Sequence, residues 1–104
     1  MSIFTKIINR EIPTDIIYEQ DNIIVIKDIN PKAKTHILII PKKEIKTIND
    51  IEEQDRELIA EMFFVAKKIA KELWIKDGYK LLFNVWEKWW QEVMHIHLHL
   101  LSNI

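Results

Sequence analysis

Three histidines alternate with aliphatic residues near the end of the chain, at positions 95, 97 and 99. Strict alternation is typical of a β-strand, because successive side chains point to opposite faces. The pattern therefore predicts a strand over Val93–Leu101 that presents His95, His97 and His99 on one face. The other face consists of Ile96, Leu98 and Leu100 and is predicted to be buried.

Two kinds of chemistry suit imidazoles at this spacing. Two histidines at positions i and i+2 are a common half of a zinc site. Alternatively, one neutral imidazole attacks an electrophile while cationic neighbours hold the negative charge of an anionic substrate. The fourth histidine, His36, lies at the start of another predicted strand. The spacing of the histidines by itself leaves both interpretations open.

The composition of the chain indicates one ordinary globular domain, spanning residues 1–104. Apolar residues make up 48% and charged residues 30%, and the net charge of −1 predicts no general attraction to nucleic acid or to an anionic membrane. The sequence has no cysteine, which excludes disulfides and thiolate metal ligands. Because neither a signal-peptide pattern nor an apolar run of membrane-spanning length is found, we expect a cytoplasmic location.

Hydrophobic periodicity predicts two helices in an α+β domain. Apolar residues at 4, 7 and 8 predict a short N-terminal helix over 4–10, which Ser2 caps and Pro13 ends. A longer apolar stripe predicts one long helix from about 51 to 73, capped by Asn49 or Asp50.

Four further segments have the composition of strands. They cover residues 16–19, 23–27, 36–41 and 79–84, and the first two are joined by a tight turn, as in a hairpin. The segment 36–41 is apolar on both faces, which predicts a central position in the sheet. With the histidine strand, the sequence therefore predicts a mainly antiparallel sheet of five strands.

Several motifs accompany the alternating triad in a fixed order along the chain. They are Phe4 with Lys6-Ile7-Ile8, Glu11-Ile12-Pro13, Asp28-Ile29-Asn30-Pro31, Thr35-His36, Ile40-Pro41-Lys42-Lys43, Asn84 and Gln91. Together they resemble the histidine-triad (HIT) family, and within it the Hint branch of purine nucleoside phosphoramidate hydrolases. The resemblance runs from about residue 3 to residue 101 without a gap, and the triad preceded at four residues by glutamine is its most specific part.

The resemblance implies a fold and an activity. The fold is a five-stranded half-sheet in each chain, which pairs with a second chain to give ten strands in a homodimer. The activity is hydrolysis of nucleoside phosphoramidates or adenylylated small molecules through a nucleotidyl-histidine intermediate, without a metal or other cofactor. The alternatives are dinucleoside polyphosphate hydrolysis, as in the Fhit branch, and nucleotide binding or scaffolding without turnover.

The resemblance also implies a role for each site residue. His97 would be the nucleophile that attacks the α-phosphorus, and the backbone carbonyl of His95 would hold its tautomer. His99 and His36 would lie beside the phosphate of a purine nucleoside monophosphate. The other implied contacts are Asp28 with the ribose hydroxyls, Ile29 with the base, and Asn84 and Gln91 with the phosphate or leaving group. Glu92 stands where some relatives have a serine or threonine that assists the leaving group.

The chain departs from the family at its tryptophans. It has one glycine, and three of its four tryptophans, Trp86, Trp89 and Trp90, stand where the family has glycine before the triad. Trp74 follows the predicted long helix, where a left-handed residue, usually glycine, is expected. One interpretation is a Trp-rich patch that docks on a membrane or a protein. Another is that the source organism reads the codon UGA as glycine, and that its translation as tryptophan is a decoding error.

Tryptophan at these positions leads to a prediction about the loop at 85–91. A left-handed backbone costs a bulky residue about 1 kcal/mol or more. Indoles also fill space where the backbone would approach a phosphate. We therefore expect the chain to keep its sheet, to have a remodelled or disordered loop, and to bind nucleotides weakly or not at all.

Overall fold

The computed structural model describes residues 1–103 as an antiparallel sheet with helices on both faces. The elements are α1 Ile3–Ile8, β1 Ile16–Glu19, β2 Ile23–Lys27, β3 Thr35–Pro41, α2 Arg56–Glu72, β4 Lys80–Leu82 and β5 Leu98–Ser102. The five strands have the order β1-β2-β3-β5-β4, and every neighbouring pair is antiparallel. The predicted α+β fold is confirmed, and β3 has the central position expected from its two apolar faces.

The sheet buries both faces because its central strands are apolar on each side. One face packs against α2, and its buried side chains are Ile23, Val25, Ile37, Ile39, Leu98 and Leu100, with Met62, Val65, Ala66 and Ile69 from the helix. The other face packs against α1, and its buried side chains are Ile24, Ile26, Leu38 and Ile40, with Phe4 and Ile7 from the helix. The predicted burial of the aliphatic half of the triad segment is therefore confirmed.

The register of β3 on β5 brings two histidines together on the α1 face. Leu38 lies opposite His99, and His36 lies opposite Leu101. Residues at alternate positions share a face, so His36 and His99 are diagonal neighbours across the two strands. Strand pairing therefore brings together two histidines that are far apart in the sequence.

Both helices differ from their predicted bounds. Ser2 caps α1 as predicted, since its Oγ accepts the Thr5 amide at 3.0 Å. The helix then ends at Ile8, ahead of the predicted stop, because Arg10 has a left-handed backbone with a φ of 63°. The predicted start of α2 near residue 51 is wrong, because two 3₁₀ turns, Ile48–Asp50 and Glu53–Asp55, precede it. Asp50 does form a capping box, but with Thr47 on the first of these turns.

The histidine strand is shorter than predicted. It begins at Leu98, so His95 and His97 precede it, and the expectation of one strand over 93–101 is wrong in its first half. The physical reason is that the backbone before Leu98 pairs elsewhere. The His95 amide donates to the Val93 carbonyl, and the Ile96 amide donates to the Ile45 carbonyl, each at 2.8 Å.

Two smaller findings complete the fold. The predicted strand at 79–84 is reduced to the three residues of β4, which lies at an edge of the sheet. Across residues 1–103, no helix combines the length and the apolar character needed to cross a membrane.

Candidate active site

A cavity of about 490 Å³ opens on the α1 face of the sheet, where β3 and β5 meet. Its walls come from α1, the loop after β2, the start of β3, the end of β5 and the loop before the triad. The predicted site residues that line it are Asp28, Ile29, His36, Asn84, Glu92, His97 and His99. The fold thus brings together seven of the nine residues singled out from the sequence.

The other two predicted site residues are buried away from the cavity. The His95 ring is 0% exposed and packs edge-on against Phe4, with 5.7 Å between the ring centroids. Gln91 is 2% exposed and braces the loop: its Oε1 accepts the Trp86 amide at 2.8 Å, and its Nε2 donates to the Val93 carbonyl at 3.0 Å. Phe4 packs against both His95 and His97, and His97 contacts His99, so the three imidazoles share the α1 face as predicted. Only His97 and His99 line the cavity, because His95 is covered.

The tautomer of His97 is fixed by its neighbour. Its Nδ1 lies 2.7 Å from the backbone carbonyl of His95, and a carbonyl only accepts, so Nδ1 carries the proton. In a neutral ring, Nε2 then has a lone pair. Burial lowers the pKa of His97, which keeps the ring neutral at pH 7. The cavity is therefore lined by an imidazole that is ready to act as a nucleophile.

His36 and His99 form a second hydrogen-bonded pair with a defined direction. The Lys32 amide donates to Nδ1 of His36 at 3.0 Å, so the proton of the neutral His36 ring is on Nε2. That Nε2 lies 2.8 Å from Nδ1 of His99 and donates to it. The neutral His99 ring consequently carries its own proton on Nε2. His97 and His99 thus line the same cavity with opposite character, an acceptor and a donor.

The protonation of His99 differs from the sequence-based expectation. Burial, followed by the neighbouring rings of His97 and His36, lowers the pKa of His99 to about 4. Burial also lowers the pKa of His36, and Asp28 opposes that effect. The interpretation with a nucleophilic imidazole had cationic neighbours beside it, but His36 and His99 are neutral at pH 7, because they are buried and His99 lies close to two other imidazole rings.

Asp28 is held at the rim of the cavity by its own loop. Its Oδ1 accepts the Asn30 amide at 2.9 Å, and its amide donates to the His36 carbonyl at 3.0 Å. The second carboxylate oxygen lies 3.4 Å from Nε2 of His36. Ile29, which follows it, is 88% exposed and lies at the same rim. A fixed acceptor beside an accessible apolar side chain is suited to a ligand with hydroxyls and a flat ring.

The same region contains a group of atoms that could ligate a metal, but the tautomer of His36 does not suit ligation. Asp28, His36 and His99 each have one such atom, and these lie within 4.8 Å of one another. Ligation through Nε2 of His36 would move the ring proton to Nδ1, where it would face the Lys32 amide donor. The donor set therefore does not fit a divalent cation.

The loop before the triad has the backbone of a glycine-rich segment. Trp86 has a φ of 77° and a ψ of 151°, a region that is essentially restricted to glycine. Trp90 is left-handed with a φ of 68°, and so is Trp74, with a φ of 60°, after α2. Trp89 instead lies in a 3₁₀ turn, Glu87–Trp89. The four indoles are between 51% and 70% exposed, so the protein interior does not require them.

Two site features escaped the analysis of the sequence. The Lys32 amide sets the tautomer of His36, and no side-chain pattern reports a backbone donor in a loop. Phe4 packs edge-on against His97, with 5.0 Å between the ring centroids. Its helical spacing with Ile7 identified Phe4 as apolar core but gave no sign of its imidazole neighbours.

The fold, the paired rings of His36 and His99, and the neutral His97 define a histidine-triad site. The whole chain, residues 1–104, matches the family model described as "Scavenger mRNA decapping enzyme C-term binding". The chain belongs to this histidine-triad family.

Its similarity to individual proteins extends over nearly the whole chain. The purine nucleoside phosphoramidase of Escherichia coli (strain K12) is 48% identical over 102 residues, which cover 97% of this chain and 86% of that protein. The 14 kDa zinc-binding protein of Zea mays is 42% identical over 103 residues, which cover 97% of this chain and 80% of that protein. A HIT family hydrolase from Legionella pneumophila Philadelphia 1 superposes with a TM-score of 0.96 at 48% identity, over 100% of this chain and 94% of that one.

Proposed function

We propose that this protein is a nucleotidyl hydrolase that cleaves purine nucleoside phosphoramidates or adenylylated small molecules. The observation that carries the proposal is the fixed tautomer of His97, whose Nδ1 is bound to the His95 carbonyl at 2.7 Å in a cavity that also contains the donor His99. The name of the Escherichia coli relative, 48% identical, supports the phosphoramidate class.

In the proposed reaction, Nε2 of His97 attacks the α-phosphorus of the substrate. A bond from nitrogen to phosphorus forms, the bond from phosphorus to the leaving amine breaks, and the amine departs with a proton from solvent at the open rim, where Glu92 lies. The phosphorylated ring becomes cationic and keeps its Nδ1 proton on the His95 carbonyl. Water then attacks the same phosphorus and loses a proton to solvent at the rim, and the bond from phosphorus to Nε2 breaks. The nucleoside monophosphate is released, and His97 is again a neutral ring with its proton on Nδ1.

Other cavity residues would bind the nucleotide. The Nε2 proton of His99 would donate to a phosphoryl oxygen, where charge develops in the transition state. Asp28 would accept from the ribose hydroxyls, and Ile29 would contact the purine. Asn84 would serve the phosphate or the leaving group, since it lines the same cavity as His97 and His99. Gln91 would act indirectly in this scheme, by shaping the loop.

A fluorogenic adenosine phosphoramidate tests the proposal directly. We expect turnover by the chain with glycine at all four tryptophan positions, and a loss of about 10³-fold or more in kcat for His97→Ala in that background. A matched control is Asp28→Asn, which should raise KM and leave kcat nearly unchanged. Equal rates with and without His97 would reject the enzyme and favour a nucleotide-binding scaffold. Faster turnover of a dinucleoside polyphosphate would instead favour the Fhit-like activity.

We also propose that the protein is a homodimer with a continuous ten-stranded sheet. The three-residue strand β4 lies at the edge of the sheet, and α2 has exposed apolar side chains beside it. Phe63 is 41% exposed and Phe64 is 67% exposed, and Phe63 packs edge-on against Phe83 just after β4. Light scattering should give twice the chain mass, and Phe64→Asp should halve it. The cytoplasmic location stays a prediction from the sequence.

We further propose that positions 74, 86, 89 and 90 are glycine in the protein made by the source organism. Three of them have a positive φ, all four indoles are largely exposed, and the chain has one other glycine. A UGA codon read as glycine in the organism, and as tryptophan in the printed sequence, accounts for the set. Mass spectrometry of protein from the source cells should find glycine. Tryptophan at these positions would overturn the idea and favour the docking patch.

A further inference from the structure

Ser2, at the start of α1, links the surface residue Glu44 to the buried ring of His95 by two hydrogen bonds, one from its amide and one from its hydroxyl. The Glu44 carboxylate accepts the Thr5 hydroxyl at 2.6 Å and the Ser2 amide at 2.7 Å. These bonds lower the pKa of Glu44 to about 2, so the carboxylate is ionised. The hydroxyl of Ser2 lies 2.6 Å from Nδ1 of His95, and Nε2 of His95 lies 2.7 Å from the Pro41 carbonyl.

The direction of each bond follows from its partners. The Pro41 carbonyl only accepts, so Nε2 of His95 carries a proton, and Nδ1 of the neutral ring must accept. Burial lowers the pKa of His95, which keeps this ring neutral. Ser2 is therefore the donor to Nδ1, and its Oγ accepts the Thr5 amide at 3.0 Å. Both nitrogens of the His95 ring are therefore hydrogen-bonded, Nδ1 to the Ser2 hydroxyl and Nε2 to the Pro41 carbonyl.

The network matters because the backbone of His95 lies outside the sheet. The β5 strand begins at Leu98, so no ladder bond holds the carbonyl of His95 in place. That carbonyl is the acceptor for Nδ1 of His97. The brace comes instead from the two ring contacts of His95 and from the Ile96 amide, which donates to the Ile45 carbonyl at 2.8 Å, next to Glu44.

We infer that Ser2 and Glu44 are positioning residues for the reaction proposed above, which hold His95 so that its carbonyl keeps the Nδ1 proton on His97. This inference rests on the proposed function for its kinetic consequence. Its structural part, the control of the His97 tautomer by the start of α1, stands without turnover. Neither residue lines the cavity that would hold the substrate.

Two readouts test the inference in the full chain, with and without glycine at the tryptophan positions. The first is the exchange with solvent of the Nδ1 proton of His97, measured by ¹H–¹⁵N NMR. The second is kcat for the fluorogenic phosphoramidate. Ser2→Gly removes the donor to His95 but retains most of the helix cap, because glycine is nearly as good an N-cap as serine. We expect faster exchange and a fall of about tenfold in kcat, the effect of one hydrogen bond, with KM unchanged.

Conservative and control variants complete the design. Ser2→Thr retains both the cap and the hydroxyl, and should restore the exchange rate and kcat. Glu44→Ala should act in the same direction as Ser2→Gly, whereas Glu72→Ala, at the end of α2 and exposed, should change neither readout. Unchanged proton exchange in Ser2→Gly would overturn the inference. If no variant has turnover while the exchange responds as expected, the proposed function fails and the positioning network is upheld.

Discussion

Backbone strain in the tryptophan loop can be tested by comparing the stabilities of two variants at one position that both lack the indole. The effect of losing the indole is then the same in both and cancels in the difference. At each tryptophan position we compare a glycine variant with an alanine variant, since both remove the same side chain. At Trp86 the backbone lies at a φ of 77° and a ψ of 151°. Alanine is strained there by about 1–3 kcal/mol, whereas glycine is not. Glycine loses about 0.5–1 kcal/mol of additional chain entropy on folding. Trp86→Gly should therefore be more stable than Trp86→Ala by about 1 kcal/mol, the middle of a range of about 0–2.5 kcal/mol.

Trp89 is the matched control in the same loop. It lies in a 3₁₀ turn with ordinary backbone angles, so glycine brings no relief of strain and only its entropic cost. Trp89→Ala should be more stable than Trp89→Gly by about 0.5–1 kcal/mol. Urea unfolding followed by far-ultraviolet circular dichroism gives all four free energies of unfolding. The prediction is a reversal of sign between the two sites. If the same variant, alanine or glycine, is the more stable one at both sites, the assignment of backbone strain to Trp86 is refuted.

Three further outcomes follow from the core and the site. Leu98→Ala should lower the free energy of unfolding by about 2–4 kcal/mol, because Leu98 is 1% exposed in the core under α2; chemical denaturation measures this. Stability should fall as the pH drops from about 6.5 to about 4, because the folded pKa of His99 is depressed to about 4 and the unfolded chain binds its proton first; His99→Gln should flatten this part of the stability profile. In the chain with glycine at all four tryptophan positions, calorimetry should show that AMP binds about tenfold more weakly to Asp28→Asn, because a charged acceptor to the ribose is lost.

The fold was predictable because its pattern and its packing agree. Continuous runs of mostly β-branched apolar residues at 23–27 and 36–41 indicate strands, and the apolar stripe at spacings of three and four indicates α2. These patterns record which side chains are buried, and burial on the two faces of the sheet is what holds the domain together. The start of β5 was misjudged for the same reason. Ile96 is buried like a strand residue, at 2% exposure, although its amide bonds to Ile45 and lies outside the ladder.

The sequence predicted which residues form the candidate site better than it predicted their proximity, backbone conformation and protonation. The proximity of His36 and His99 depends on strand register, which the sequence suggests only through the resemblance. The missing glycine after α2 predicted the left-handed backbone of Trp74. Of the three family glycine positions before the triad, Trp86 and Trp90 have a positive φ and Trp89 does not. The expected disorder or remodelling of the loop at 85–91 stays a prediction.

The triad contains one residue type in two tautomers, with the proton on Nδ1 in His97 and on Nε2 in His95 and His99, and neighbouring groups assign them. The His95 carbonyl keeps the proton of His97 on Nδ1, and the Lys32 amide, acting through His36, leaves His99 with a proton on Nε2. His95 itself is held neutral between a serine and a carbonyl. Because these partners are main-chain atoms or capping groups, substitutions that leave every imidazole in place can still change the proton on the nucleophile. The proton on the nucleophile therefore depends on the backbone ahead of β5, where the His95 carbonyl binds His97, as well as on the histidines themselves.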